Sequence, residues 1–168
     1  MEKTQTTIVR HIVATLAYRA AKVLRGVPPG FAQTSFGEST RKPVLIVAHM
    51  ADLAMYAIRV TQGQLLFKAE GSDDWEREVA RFFDNLATLD RELASTSVEF
   101  SVEKLIQGPL ADALTHVGQL AMLRGMAGAP VRPESFARAE VVAGRVGSEQ
   151  APPGREFDGD ASAITRAG

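Results

Sequence analysis

The stretch WEREVARFFDNLATLDREL, residues 75–93, carries the plainest structural signal in the chain. Trp75, Val79, Phe82, Leu86, Leu89 and Leu93 recur at spacings of four and three, the period of an α-helix with one buried face. Charged residues fill the opposite face. Asp73, with Glu76 three residues on, reads as the helix start, although Ser or Thr is the usual capping residue of that box. Trp75, Phe82 and Phe83 in such a stripe supply buried area to a core. A seam of this kind needs other helices to close against.

Three further helical segments flank it. The first spans about Thr6 to Leu24, with Ile8, Ile12, Leu16, Ala20 and Val23 on one face. Gly26 and Pro28–Pro29 end it. Residues 26–41 turn to Gly, Pro, Ser and Thr, a long loop that reads as a lid, a binding loop or a plain surface connection. The second helix starts at Pro43, suited to a first turn, and runs to about Gln62, with Gly63 as its stop. Leu45, His49, Leu53, Tyr56 and Val60 share its face. The fourth region begins near Ser101, kinks or restarts at Gly108–Pro109, and ends near Met126. Its inward stripe is Leu105, Pro109, Asp112, His116, Leu120 and Leu123.

A short helix is expected from Pro133 to Val142. No stretch alternates convincingly with a period of two, and no internal repeat is present. The expectation is an all-α, four-helix bundle domain over residues 1–145, with that short C-terminal helix inside it. An extended, weakly packed tail completes the chain over residues 146–168.

With 168 residues, 45% hydrophobic and 23% charged, the chain has the balance of one globular domain able to bury a core. A formal charge of -1 gives no bulk attraction to nucleic acid or an anionic membrane. There is no cysteine, which excludes disulfides, thiolate metal sites and a cysteine nucleophile. The N-terminus lacks the apolar core of a signal peptide, and Val44–Ile58 reads as too short to span a bilayer and is broken by His49 and Asp52. The expected setting is the cytoplasm.

The chain has only three histidines. His49 and His116 fall mid-helix on core-facing positions, where each ring nitrogen needs a partner. Asp112 lies one turn before His116 on the same face. A carboxylate aimed at a core is costly unless neutralised, and a cation held by His49, Asp112 and His116 would satisfy all three. Ligands at i and i+4 on one helix, with a third from a facing helix, leave an open side, as in catalytic metal sites. Two imidazoles and a carboxylate suit zinc, nickel or ferrous iron better than magnesium or calcium.

The plainer readings stand beside this one. Each histidine alone reads as a satisfied core residue, and Asp112 as an acid favoured in a helix's first turn. Asp52, three residues after His49, reads as a fourth ligand, an orienting partner or a solvated acid. Gln119 and Arg124 read as pocket groups for an anion, with Arg124 favoured as a cation near a helix C-terminus. His11 reads as structural, and Tyr56 as core or pocket lining. No phosphate-binding glycine loop or nucleophile elbow is present.

Two stretches resemble the DinB-like (DinB/YfiT) family. Gly108–Pro130, GPLADALTHVGQLAMLRGMAGAP, looks like the last bundle helix of that family, including HVGQLAMLR. Lys42–Ala57, KPVLIVAHMADLAMYA, looks like its second helix with a metal-binding histidine, here His49. The resemblance covers about Ile8 to Pro130. It implies a four-helix bundle that holds a divalent metal, often nickel or zinc, through three histidines. His49 and His116 match two of them. Asp112 departs from the common His-x3-His pattern, which alters the site without abolishing it. Dimerisation is common in the family, and some members use low-molecular-weight thiols.

Two functions are expected on these grounds. One is a metal-dependent enzyme acting on a small molecule, a thiol-dependent S-transferase or a hydrolase. There the metal acidifies an external thiol or water, with Asp52 or Gln119 orienting the reactants. The other is a non-catalytic, metal-stabilised binding or stress-response module. Apolar residues outside the seams point to a homodimer; neither nucleic acid nor membrane is an expected partner.

Overall fold

A computed structural model describes residues 3–95 and 101–157. Its long elements are α1 (Lys3–Leu24), α2 (Pro43–Thr61) and α3 (Trp75–Ser95). The last helical region comprises α4 (Val102–Leu105), a π-helical turn (Ile106–Leu110) and α5 (Ala111–Met126). The chain is all-helical, and no named strand occurs among the described residues. Helix α2 packs on α3 and α5, and α1 packs on the same two. Each long helix thus has two principal neighbours, an arrangement compatible with a four-helix bundle.

Helix α3 buries the face its period prescribes. Phe82, Leu86, Leu89 and Leu93 are fully enclosed, while Trp75 and Val79 are partly covered at its start. Each enclosed side chain contributes roughly 1.5–3 kcal/mol of apolar burial. The helix start lies one residue from the expected one. Asp74, not Asp73, caps it, because the Asp74 carboxylate accepts the Arg77 amide.

The faces of α1 and α2 match the expected ones in part. On α1 the buried row is Val9, Val13, Leu16, Ala20 and Val23, whereas Ile8 faces solvent. On α2 the expected Leu53 and Val60 are buried together with Val44, Val47, Met50, Ala51 and Ala57, and Leu45 is exposed. Both helices are apolar on more than one side, so spacing alone could not select the face. Helix α2 is long and apolar enough to cross a membrane by length and composition, with a mean hydropathy of 1.5. That corrects the expectation that this stretch is too short. Its 72% burial within the protein is that of a core helix.

The expected start and kink of the last helix are both present. Ser101 caps α4 by accepting the Lys104 amide. Gly108 leaves helical geometry (φ -92, ψ -105) immediately before Pro109, which lacks an amide proton. The π-turn shifts the helical register, and α5 then runs unbroken through Asp112 and His116.

The short helix expected over 133–142 is only a 3-10 turn at Phe136–Arg138. Upstream of that turn, Glu134 is pinned by Tyr18 and Lys22 of α1, and its backbone forms an isolated bridge with Glu156. Among the described residues from 146 to 157 no helix occurs, and this stretch is tied down. Val146 is buried, Arg25 donates to the Ser148 carbonyl, and Lys22 pairs with Glu156. The rest of the expected tail, 158–168, lies outside the described residues.

Candidate metal centre

Helix α2 presents His49 and α5 presents Asp112 and His116 at the contact between the two helices. His116 Nε2 lies 3.3 Å from one Asp112 oxygen, and His49 Nε2 lies 3.6 Å from the other. The two imidazoles meet edge to face, with centroids 5.0 Å apart. One ligand atom from each of the three lies within 4.8 Å of the others, a grouping that could hold a metal ion. The donor set, two imidazole nitrogens and a carboxylate oxygen, does not select one metal.

The surroundings prepare these donors. His116 is buried, and its Nδ1 is 2.7 Å from Gln119 Oε1, one turn further along α5. With the Gln119 oxygen accepting from Nδ1–H, Nε2 is the ring nitrogen free to bind a metal beside Asp112, the tautomer that a bound ion requires. Burial, His116 and Arg41 together push the His49 imidazole below its ordinary range, against the pull of Asp112. A neutral imidazole is the form that binds a metal.

Two expectations about burial need correction. Asp112 does not point into a closed core, since its side chain is 47% exposed. His49 is half-buried at the rim. The cost of burying a carboxylate therefore does not argue for a cation here. Convergence of the three donors does.

Asp52 is buried, but neither solvated nor part of the cluster. Its carboxylate binds Arg81 at 2.7 Å and accepts the Glu70 amide at 3.2 Å. Arg81 also holds Glu78 and the Ala48 carbonyl. Glu78 in turn accepts from the Ser72 amide and hydroxyl. This network clamps the 62–74 loop against α2. Gly71 sits so close that a Cβ there would meet Ala48 Cβ at 2.6 Å.

Arg124 does not reach the pocket either. It is buried and donates to the carbonyls of Val23, Arg25, Gly26 and Ala129, closing the C-terminal end of α1. His11 is exposed. Tyr56 packs against the edge of the core and also lines a cleft.

The triad stands between two clefts that share His49 and Asp112. One, of about 510 Å³, also holds His116, Gln119 and the loop residues Ser39, Thr40 and Arg41. The other, of about 670 Å³, is walled by Leu53, Tyr56, Phe67 and Pro109. Phe67 meets both His49 and Tyr56 edge-on, at 5.8 and 6.0 Å. Arg41 and Phe67 are the site residues that sequence reasoning missed. Both lie on loops, where no period marks a face; the only signal for Phe67 was an apolar Leu65–Phe67 run between polar neighbours.

No protein-family model, curated protein or solved structure matches the chain.

Proposed function

We propose that this chain is a DinB-like four-helix bundle whose His49, Asp112 and His116 hold one divalent metal, zinc or nickel in first place and ferrous iron next. We further propose that it is a metal-dependent enzyme, a thiol-dependent S-transferase or a hydrolase, acting on a small molecule. The observation that carries the reading is the meeting of three donors from two helices at the junction of two clefts. Three protein ligands leave a position open to an exchangeable ligand.

When bound, such an ion acts as a Lewis acid that lowers the pKa of a thiol or water beside it. The chain's own residues do the rest. Gln119 fixes the His116 ring. Burial keeps His49 neutral and available. Phe67 and Tyr56 give one side of the site an apolar face. The thiol comes from outside, because the chain has no cysteine. Against a closed, purely structural metal site stands Asp52, the nearest further carboxylate on α2, which is engaged by Arg81.

The test is turnover of 1-chloro-2,4-dinitrobenzene with a panel of low-molecular-weight thiols, and of simple ester and amide substrates, by zinc- or nickel-loaded protein. In the thiol assay the S–H proton passes to solvent, the sulfur bonds to the ring carbon and chloride leaves with the electron pair of the broken C–Cl bond. Metal-dependent turnover that His49→Ala removes is the expected result. Full metal loading with no turnover of any substrate would overturn the enzymatic reading and favour the binding module.

A further inference from the structure

The two clefts differ in chemistry, and that difference constrains what the centre binds. The smaller one combines hydrogen-bond donors with the apolar side chains of Ile46, Met122 and Leu123. Arg41 stands at its mouth, and among the described residues no carboxylate pairs with it. Arg10, Arg59 and Arg81, by contrast, each hold an acid, and Arg124 is fully engaged by carbonyls. In the His116 tautomer that a bound metal requires, Gln119 spends its oxygen on Nδ1 and its NH₂ group is left for another acceptor. Ser39 and Thr40 add hydroxyls.

These loop groups are held in place. Phe31 is buried against Phe36 and Trp75, and Gln33 donates to the Asp73 carbonyl, anchoring the loop that ends at Arg41. Arg41 lines the same cleft as His49. A divalent cation beside a single carboxylate and Arg41 leaves the centre with net positive charge, which favours an anion. The larger cleft offers the reverse, an apolar wall of Leu53, Tyr56 and Phe67.

We propose that the centre takes an amphipathic anion. Its carboxylate-like head lies on Arg41 and Gln119 in the smaller cleft. Its aryl or alkyl body lies against Phe67 and Tyr56 in the larger one, and the triad sits between them. This deepens the metal-enzyme reading and rests on it for the position of the reacting atom, but it makes a binding prediction of its own.

The experiment is calorimetric titration with 4-phenylbutanoate, 4-phenylbutan-1-ol, 4-phenylbutylamine and butanoate, on zinc-loaded and metal-free protein. A parallel zinc titration monitors the metal site. The expected order places 4-phenylbutanoate tightest in both forms. Arg41→Met should lower its affinity about tenfold without changing that of the alcohol, as loss of a charged hydrogen bond requires. Phe67→Ala should weaken the three phenyl compounds and leave butanoate unchanged. Circular dichroism checks that both variants fold.

Equal affinity for acid, alcohol and amine, no binding of any probe, or an acid preference that survives Arg41→Met would overturn the proposal. A zinc titration that shows no site while the Arg41-dependent preference persists would overturn the metal reading and leave the anion site standing. Zinc binding at one equivalent with no acid preference would do the opposite.

Discussion

Gln119 gives the sharpest handle on the centre because it is outside the donor triad and bears little on stability. Its Oε1 lies 2.7 Å from His116 Nδ1, and the residue is exposed on α5. Gln119→Met keeps length and removes the acceptor. The His116 ring then loses the partner that fixes its tautomer and orientation. Loss of such an outer partner costs 10–100-fold in metal affinity, so at least tenfold, or about 1.4 kcal/mol, is expected here. Gln119→Glu should act in the opposite direction, since a carboxylate acceptor makes the imidazole more basic. Folding stability should move by less than about 0.5 kcal/mol in either variant, as for other surface changes. Competition for zinc against a chromophoric chelator reads the affinities, and urea unfolding reads the stabilities. The predicted ranking is Glu above Gln above Met. Equal zinc affinity in all three would refute the reasoning that His116 presents Nε2 to a metal because Gln119 holds Nδ1.

Two further predictions concern the frame around the site. Arg124→Met removes a buried guanidinium from four carbonyls. The cost should be about 3 kcal/mol by urea unfolding, at the low end for a buried charged network because water can reach some of the carbonyls; a loss under about 1 kcal/mol would contradict this role. Glu78 sets a pH dependence. Burial alone would raise its carboxyl, but the bonds from Ser72 and Arg81 outweigh it and hold the group below its ordinary value of 4.5. The unfolded chain therefore takes up this proton first as pH falls. The contribution is complete above about pH 4.5 and is lost on acidification through the depressed value. Glu78→Gln should lower stability at neutral pH and flatten the stability profile below that point. An unchanged acid slope would sink the assignment.

Much of the frame was legible in the sequence. The α3 seam, the Ser101 start and the break at Gly108–Pro109 come from spacing, capping chemistry and a missing amide proton, all local matters. The faces of α1 and α2 were legible only in part, because apolar residues surround both helices and only tertiary packing selects the buried row. His49 stands at a rim instead of in the core. The i, i+4 pair Asp112 and His116 was legible, as was the need for a third donor from another helix. The fate of Asp52 was not, since its partner Arg81 lies on α3, 29 residues away. The same holds for Glu134, recruited by Tyr18 and Lys22 from more than a hundred residues upstream, which leaves the expected helix there as a short turn. Arg41 and Phe67 reach the site through loops, and no periodicity announces a loop residue.

The central claim is that His49, Asp112 and His116 bind a divalent metal together. The most direct measurement is metal content by mass spectrometry on protein prepared without chelator, beside the Asp112→Ala, His116→Ala double variant. Close to one equivalent of zinc, nickel or iron is expected in the parent, with loss of that metal in a folded variant. No metal in the parent, even after incubation with zinc, nickel and ferrous iron, would contradict that claim, as would a variant that retains the parent's full content.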